Sequence, residues 1–419
     1  MAPVNATAFD LGHSAVGFEL WALGCCVPIM RAMVRLGSDV LLSSSRLTGK
    51  RVGVVCNHAS LDRGFLHIVD RLAGAEHLAL AAIFGPQHGF RSDVQDNMIE
   101  TPHAKDPGRR VPIYSLYSET REPTAEMLSG IDVLVIDLQD VGARIYTYIY
   151  TMANCMRACA RHGIPVLVCD RPNPIGGMDV EGARLVPGFE SFVGQFPIPM
   201  RHGMTIGELA RLFNEVFSIG AQVEVVTMEG WRRDMYADQT GLPWVMPSPN
   251  MPTLDTAIVY PGTVLFEGIM LSEGRGTTRP FELVGAPWIE AERFARDMNA
   301  LGLTGVHFRP AVFEPTFQKH AKQTCGGCQI HVIARHLFKP VLVGVALAGM
   351  FRRTNPSKFA WRQPPYEYEH DKMPIDILAG ADTLRTQIEA DMPAAEIAAS
   401  WKADEDAFRA VRERFLTYS

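Results

Sequence analysis

Short runs of β-branched and other apolar residues, each followed by polar side chains, recur through the first half of the chain. They occupy residues 51–57, 78–84, 133–137 and 165–170. Helix-like stretches separate them, and the clearest lies at residues 148–162. Apolar runs of this length are typical of strands buried on both faces of a parallel sheet. The alternation predicts an α/β fold with a Rossmann-like parallel sheet.

The later part of the chain shows a different pattern. A helix is expected over residues 205–217, because Thr205 and Glu208 form a capping box at its start. A strand-like run at residues 341–346 follows much later, mixed with helices. The spacing of apolar residues predicts a last amphipathic helix over residues 394–415.

The length of 419 residues favours two or three domains, at roughly 150 residues per domain. A proline-rich passage begins at residue 243 and marks the expected boundary. We therefore predict an N-terminal extension over residues 1–34, a Rossmann-like domain over residues 35–242, and a second, smaller α+β domain over residues 243–419.

The charge balance argues against a nucleic-acid partner, because 40 basic and 46 acidic residues leave a net charge of −6. The apolar run at residues 18–30 is too short to span a bilayer and follows no basic segment. We expect no membrane span and no export signal. The expected location is the cytoplasm, or the periplasm if the true start codon lies elsewhere; oligomeric state is left open.

Ligands of parallel sheets bind outside the carboxyl ends of the strands, so the polar residues found there are candidates for a site. No GxGxxG or GxxxxGK[ST] motif occurs, so no nucleotide cofactor is expected. The candidates that follow the predicted strands are Asn57, Gln87, His88, Arg91, Asp96, Asp137, Asp140, Arg144, Tyr146, Asp170, Arg171 and Asn173.

Further candidates for substrate binding lie later in the chain. In the run at residues 271–279, glycines let backbone N–H groups approach a ligand, and Arg275 and Arg279 can bind a carboxylate. The remaining candidates are Glu181, His202, Asn250, Glu267 and Glu273.

Four zinc-type ligands, Cys325, Cys328, His331 and His336, lie close together in the sequence. The gap between the two ligand pairs is far shorter than in zinc fingers, and His331 lies in a strand-like run. A structural role is favoured over a metal site, and we predict no metal.

Many ordered motifs together resemble one bacterial family, the exo-β-N-acetylmuramidase (NamZ-like, formerly DUF1343) glycoside hydrolases. The resemblance runs from about Arg35 to the C-terminus. It implies an exo-acting enzyme of cell-wall turnover or recycling, with its active site in a cleft between the two domains. The implied substrate is N-acetylmuramic acid at the non-reducing end of a peptidoglycan fragment or muropeptide. The motifs include LTGKRVGVVCN, FGPQHGFR, DVLVIDLQDVGARIYTYIYTM, DRPNPIGG, PSPNMPT and LSEGRGTTRPFELVGAPW.

Position 87 departs from the family pattern, which the resemblance gives as FGPEHG with the Glu as a catalyst. Gln87 cannot exchange a proton as a general acid or base does. Three explanations are open. A neighbour such as Glu100 or Asp96 supplies the acid, the 2-acetamido group of the substrate supplies part of the chemistry, or the protein binds the sugar without cleaving it.

Three functions follow. The preferred one is an exo-acting hydrolase that uses Glu100, Asp96 or Asp137 as its acid or base. His88, Arg144, Asp170 and Arg171 would orient the sugar hydroxyls, and the glycine–arginine run would hold the lactyl carboxylate. The alternative is a non-catalytic muropeptide-binding protein. A Rossmann-type transferase or oxidoreductase is the least favoured, because the glycine fingerprint is missing.

Overall fold

The computed structural model describes residues 33–96 and 98–419, so nearly all of the predicted N-terminal extension lies outside the described residues. In the described part, a seven-stranded sheet has the order β3-β4-β2-β1-β5-β6-β9, and every strand except the edge strand β3 runs parallel to its neighbours. Its strands are β1 Arg51–Cys56, β2 Ala79–Gly85, β3 Ala104–Lys105, β4 Pro112–Ser115, β5 Val133–Asp137, β6 Val166–Cys169 and β9 Val223–Val226.

The central strands are buried on both faces, as their apolar runs predict. In β5, Leu134 and Ile136 pack into one hydrophobic cluster, and Val133 and Val135 pack into another. Alternate side chains of a strand point to opposite faces, so the two clusters are the two layers that cover the sheet. The α/β, Rossmann-like prediction is confirmed.

The helices of this part are α1 Gly37–Leu42, α2 Ile68–Ala73, α3 Ala125–Leu128, α4 Tyr148–His162 and α5 Ile206–Val216. The predicted helix at residues 148–162 is confirmed. Helix α5 begins with the predicted capping box, in which the Thr205 hydroxyl accepts from the Glu208 N–H and the Glu208 carboxylate accepts from the Thr205 N–H. A two-stranded antiparallel ladder joins β7 Glu181–Arg184 to β8 Pro199–Arg201.

The rest of the chain folds as a second, α+β part. A three-stranded antiparallel sheet has the order β10-β12-β11, with β10 Leu283–Ala286, β11 Val306–Phe313 and β12 Cys325–Val332. Its helices are α6 Leu254–Thr263, α7 Ala291–Asn299, α8 Pro340–Thr354, α9 Pro374–Ala379, α10 Thr383–Glu389, α11 Ala394–Ser400 and α12 Lys402–Arg412. Short 3₁₀ turns lie at Ala237–Gln239, Val264–Gly268 and Glu413–Phe415.

Two sequence predictions in this part are wrong. The strand-like run at residues 341–346 lies inside α8, because an apolar run has no distinguishing period and Pro340 at the first turn starts a helix. The single helix expected over residues 394–415 is divided at Trp401 into α11, α12 and a 3₁₀ turn. The predicted domain limits at residues 34/35 and 242/243 stay predictions.

Within residues 33–96 and 98–419, none of the helices combines the length and the hydropathy that a bilayer crossing requires.

Candidate active site

A cavity with about 500 Å³ of space, part of it open to solvent, lies where the sheet meets the second part of the chain. The side chains that line it come from the segments after β2 and β5, from the loop between β7 and β8, and from residues 248–367. They are Gln87, His88, Ile145, Tyr146, Thr147, Tyr148, Val193, Ser248, Asn250, Met251, Tyr260, Glu267, Arg275, Phe281, Tyr366 and Glu367.

Gln87 is buried at the wall of this cavity. Its Oε1 accepts a 2.8 Å hydrogen bond from the hydroxyl of Thr147, the residue just before α4. The Gln87 side chain also forms a hydrogen bond with the carboxyl group of Glu367. Because Oε1 is bound by Thr147, the amide N–H₂ group is the donor in this bond. Gln87 therefore contacts a carboxyl group from a distant part of the chain.

Glu367 is buried, with 3 % of its surface exposed. It is not among the site residues predicted from the sequence. Its Oε2 accepts a 3.0 Å hydrogen bond from the Tyr117 hydroxyl. Burial, and next the negative charge of Glu267, raise the pKa of Glu367 to about 7, although hydrogen bonds from Tyr117 and Gln87 and the charge of Arg275 act in the opposite direction. A carboxyl group with this pKa is partly protonated at neutral pH and can donate a proton.

Glu267 is the second buried carboxylate of the cavity. Its Oε1 accepts a 2.6 Å bond from Nη2 of Arg275, and its Oε2 accepts a 2.6 Å bond from the Tyr366 hydroxyl. Although burial opposes the charged form, the carboxylates of Glu267 and Glu273 raise the pKa of Arg275. Lys319 forms a 2.7 Å ion pair with Glu273, so two cations and two anions alternate along this wall.

His88 lines the cavity with a neutral ring. Its backbone has a φ of 70°, a conformation that non-glycine residues rarely adopt and that is concentrated at functional sites. Nδ1 is 2.8 Å from the Val94 carbonyl, which can only accept, so Nδ1 carries the proton and Nε2 is an acceptor. Burial lowers the pKa of His88 to about 4.

The structure brings six of the predicted site residues together at the cavity. They are Gln87, His88, Tyr146, Asn250, Glu267 and Arg275. Glu273 lies just behind Arg275, where it is buried.

Asp137, Arg171 and Asp170 lie away from this cavity in a buried polar network. Arg171 donates to both oxygens of Asp137, at 2.5 and 3.0 Å, and to the Leu61 carbonyl. Asp170 accepts from the Thr205 hydroxyl at 2.8 Å and from other donors at the start of α5. Burial raises the pKa of Asp170 to about 6. These contacts hold the ends of β5 and β6 and the start of α5 in place. The three residues therefore have a structural role.

Arg144 is fully buried, and its guanidinium donates only to carbonyl oxygens among the described residues. The acceptors are the carbonyls of Ala183, Ile198, Leu378 and Ala379, at 2.7–3.0 Å. The last two belong to the C-terminal turn of α9, where unpaired carbonyls need donors. Arg144 therefore joins β7, the segment before β8 and α9.

Other predicted residues have local structural contacts. Asp140 accepts from the Gly142 N–H at 2.7 Å and lies 3.3 Å from Nε2 of His202. Asn57 donates to the Tyr148 hydroxyl and to the Pro247 carbonyl. The Asn173 amide donates to the Met204 carbonyl, and Glu181 accepts from the Leu342 N–H at the start of α8.

Four predicted residues lie on more open surface and do not line the cavity. Glu100 is exposed, 3.5 Å from Nη2 of Arg121. Asp96 accepts a hydrogen bond from the Gln318 side chain. Arg279 is 46 % exposed and lies 3.4 Å from Glu282, and Arg91 is exposed.

Sequence reasoning missed Ser248, Tyr260, Tyr366 and Glu367, all of which line the cavity. A signal for the last two was available in the run QPPYEYEH, where two prolines restrict the backbone directly before Tyr366 and Glu367. Glu367 itself has a φ of 45°, a second strained position at this site.

Within residues 33–96 and 98–419, no group of three or more His, Cys, Asp or Glu side chains is arranged to hold a metal ion. Cys325 and Cys328 are three residues apart on β12, so their side chains leave opposite faces of the strand.

Comparison with known proteins connects this site to a family. Family models described as exo-beta-N-acetylmuramidase NamZ, N-terminal and C-terminal, match residues 52–255 and 258–418. The peptidoglycan beta-N-acetylmuramidase NamZ of Bacillus subtilis (strain 168) is 45 % identical over 387 residues, which cover 92 % of this chain and 91 % of the relative.

Two crystal structures of DUF1343 family proteins from Bacteroides fragilis NCTC 9343 share the fold. One superposes with a TM-score of 0.84 at 34 % identity, over 93 % of this chain and 100 % of that chain. The other has a TM-score of 0.69 at 29 % identity, over 92 % and 99 % of the two chains. The motifs, the fold and the matched lengths agree, and the chain belongs to the exo-β-N-acetylmuramidase NamZ family of glycosidases.

Proposed function

We propose that this protein is an exo-acting glycoside hydrolase that releases N-acetylmuramic acid from the non-reducing end of peptidoglycan fragments. Membership of the NamZ family supports this activity. The observation that carries the proposal is the pair of buried carboxyl groups, Glu267 and Glu367, at one cavity. Two such groups are the usual machinery of glycoside hydrolysis.

Glu367 is the proposed general acid. Its pKa of about 7 keeps a proton available at neutral pH, and this proton would pass to the glycosidic oxygen as the bond to the anomeric carbon breaks. The Tyr117 hydroxyl and the Gln87 amide position the carboxyl group. Gln87 thus has a positioning role where the family motif has Glu.

Glu267 is the proposed second carboxylate. Its ion pair with Arg275 and its bond from Tyr366 hold its two oxygens in place. A fixed negative charge in a buried site stabilises the positive charge that develops at the anomeric carbon. It can also accept a proton from the attacking water, or orient the 2-acetamido group of the substrate if that group attacks first.

Recognition of muramic acid is proposed to use the remaining lining residues. Tyr146, Tyr260 and Phe281 offer apolar ring faces, with Tyr260 and Phe281 packed edge to face at 4.8 Å. Nε2 of His88 is an acceptor for a sugar hydroxyl. Of the two arginines expected to hold the lactyl carboxylate, Arg275 lines the cavity and is the one we retain.

The proposed location is the cytoplasm, where turnover products of the cell wall would be recycled. The six described cysteines are buried and form no disulfide with one another, which fits a reducing compartment. Cell fractionation with an antibody to the protein tests this, and recovery in the periplasmic fraction would contradict it.

The activity is tested by incubating the purified protein with a synthetic disaccharide, N-acetylmuramic acid β-linked to N-acetylglucosamine. Release of the free sugars, followed by mass spectrometry, is expected from the wild type and not from Glu367→Gln. Glu396→Gln, which changes an exposed carboxylate on α11, is the matched control and keeps full activity. Tight binding of the disaccharide with no cleavage would overturn the hydrolase and favour the muropeptide-binding alternative, which Gln87 suggests.

A further inference from the structure

A group of three aromatic rings surrounds the guanidinium of Arg121 beside the cavity. The Cζ atom of Arg121 is 4.2 Å from the ring centre of Tyr117, 4.6 Å from that of Tyr368 and 5.6 Å from that of Phe192. The Tyr117 and Phe192 rings are themselves 5.3 Å apart. We call Tyr117, Arg121, Phe192 and Tyr368 the rim cluster.

The rim cluster is continuous with the candidate general acid. Tyr117 donates its hydroxyl hydrogen to Glu367, and Tyr368 directly follows Glu367 in the chain. Phe192 directly precedes Val193, which lines the cavity. The cluster therefore begins where the cavity ends, on the side of Glu367.

One ring of the cluster is held in place and still open to solvent. Tyr117 is fully buried, whereas Tyr368 is 48 % exposed. The cation of Arg121 lies over the Tyr368 ring, and the Tyr368 hydroxyl is 3.4 Å from an oxygen of Glu100.

We propose that the rim cluster binds the leaving-group sugar, with its pyranose ring stacked on the open part of Tyr368. This inference rests on the proposed function. An exo-acting enzyme encloses the sugar that it releases, and the general acid contacts the oxygen between that sugar and the next. The next sugar must therefore lie beside Glu367 and outside the cavity, which is where the rim cluster lies.

The chemistry of the cluster fits a neutral N-acetylated amino sugar, which is the leaving group of the proposed substrate. Arg121 lies beside Glu100, with 3.5 Å between Nη2 and Oε1. The C–H face of a pyranose packs on an aromatic ring, and Glu100 and Arg121 can bond to its hydroxyl and acetamido groups. Glu100 thereby acquires a role in binding the leaving group, away from the reacting bond.

The test compares two substrates that share the muramic acid and differ in the leaving group. One is the disaccharide used above, and the other is methyl β-N-acetylmuramide, which has no second sugar. For each variant we compare kcat/KM for the disaccharide with kcat/KM for the methyl glycoside. Tyr368→Ala is expected to lower the ratio of the two by about tenfold, because the loss of an aromatic contact costs on the order of 1 kcal/mol, which is close to tenfold in rate. Tyr368→Phe keeps the ring and most of the ratio. Phe65→Ala, a change at another exposed aromatic residue, is the control and leaves the ratio unaltered.

An unchanged ratio in Tyr368→Ala would overturn the proposal. The substitution would then affect both substrates equally, as a change that acts only through Glu367 does. If the wild type cleaves neither substrate, the proposed function fails, and calorimetric titration still decides on the subsite. The subsite is supported if the wild type binds the disaccharide more tightly than the methyl glycoside and Tyr368→Ala loses this difference. Equal affinities of the wild type for the two compounds would overturn the subsite.

Discussion

The hydroxyl group of Tyr117 donates a 3.0 Å hydrogen bond to Oε2 of Glu367, a residue 250 positions later in the chain. Tyr117 follows β4 of the parallel sheet, and Glu367 lies in the segment between α8 and α9. This contact and the hydrogen bond with the Gln87 side chain hold the Glu367 carboxyl group beside Gln87.

Glu367→Gln is expected to lower kcat by about 10²- to 10⁴-fold, which is the usual contribution of a general acid. The amide keeps the shape and can hydrogen bond, so KM changes little. Steady-state kinetics on the synthetic disaccharide measures both constants. A loss of less than about threefold would exclude Glu367 as the acid.

Gln87→Glu is expected to raise kcat by at least about tenfold. The change puts a group that can exchange a proton beside Glu367, where the Thr147 hydroxyl can still donate to it. Two carboxyl groups in contact titrate as a pair, so the pH profile should also broaden. If kcat does not rise at any pH, a carboxyl group at position 87 does not take over proton transfer in this protein.

The pH dependence of kcat/KM should show a basic limb near pH 7. Glu367 acts in its protonated form, and its pKa is raised to about 7, so activity is present below that pH and is lost as pH rises through it. Tyr117→Phe removes a hydrogen bond that favours the carboxylate, which raises the pKa of Glu367 and moves the limb to higher pH. Tyr114→Phe, in β4, is the control and leaves the limb in place. A limb that moves to lower pH in Tyr117→Phe would contradict the assignment.

Arg144→Met is expected to lower the free energy of unfolding by about 3 kcal/mol, because four carbonyl groups, two buried and two part-buried, lose a donor. Urea titration followed by circular dichroism measures this, with the exposed Arg232→Met as a control that changes it by less than about 1 kcal/mol. Native stability together with a tenfold higher KM would instead support the substrate-binding role predicted from the sequence.

The sequence by itself determined the Rossmann-like half of the fold. The strands at β1, β2, β5 and β6 lie within a residue or so of the predicted runs, because burial on both faces leaves a local record of β-branched and apolar residues. The same reasoning placed Gln87 and His88 at the site, since they directly follow β2. It failed at α8, where an apolar run suits a helix as well as a strand.

Only the tertiary structure decided which polar residues share a cavity. Asp137 and Arg171 end neighbouring strands, as predicted, but they pair with each other away from the cavity. Glu367 reaches the cavity from a loop that no local pattern connects to β2. Strand and helix signals are local in sequence, whereas burial, charge pairing and a raised pKa depend on which distant segments the folded chain brings into contact.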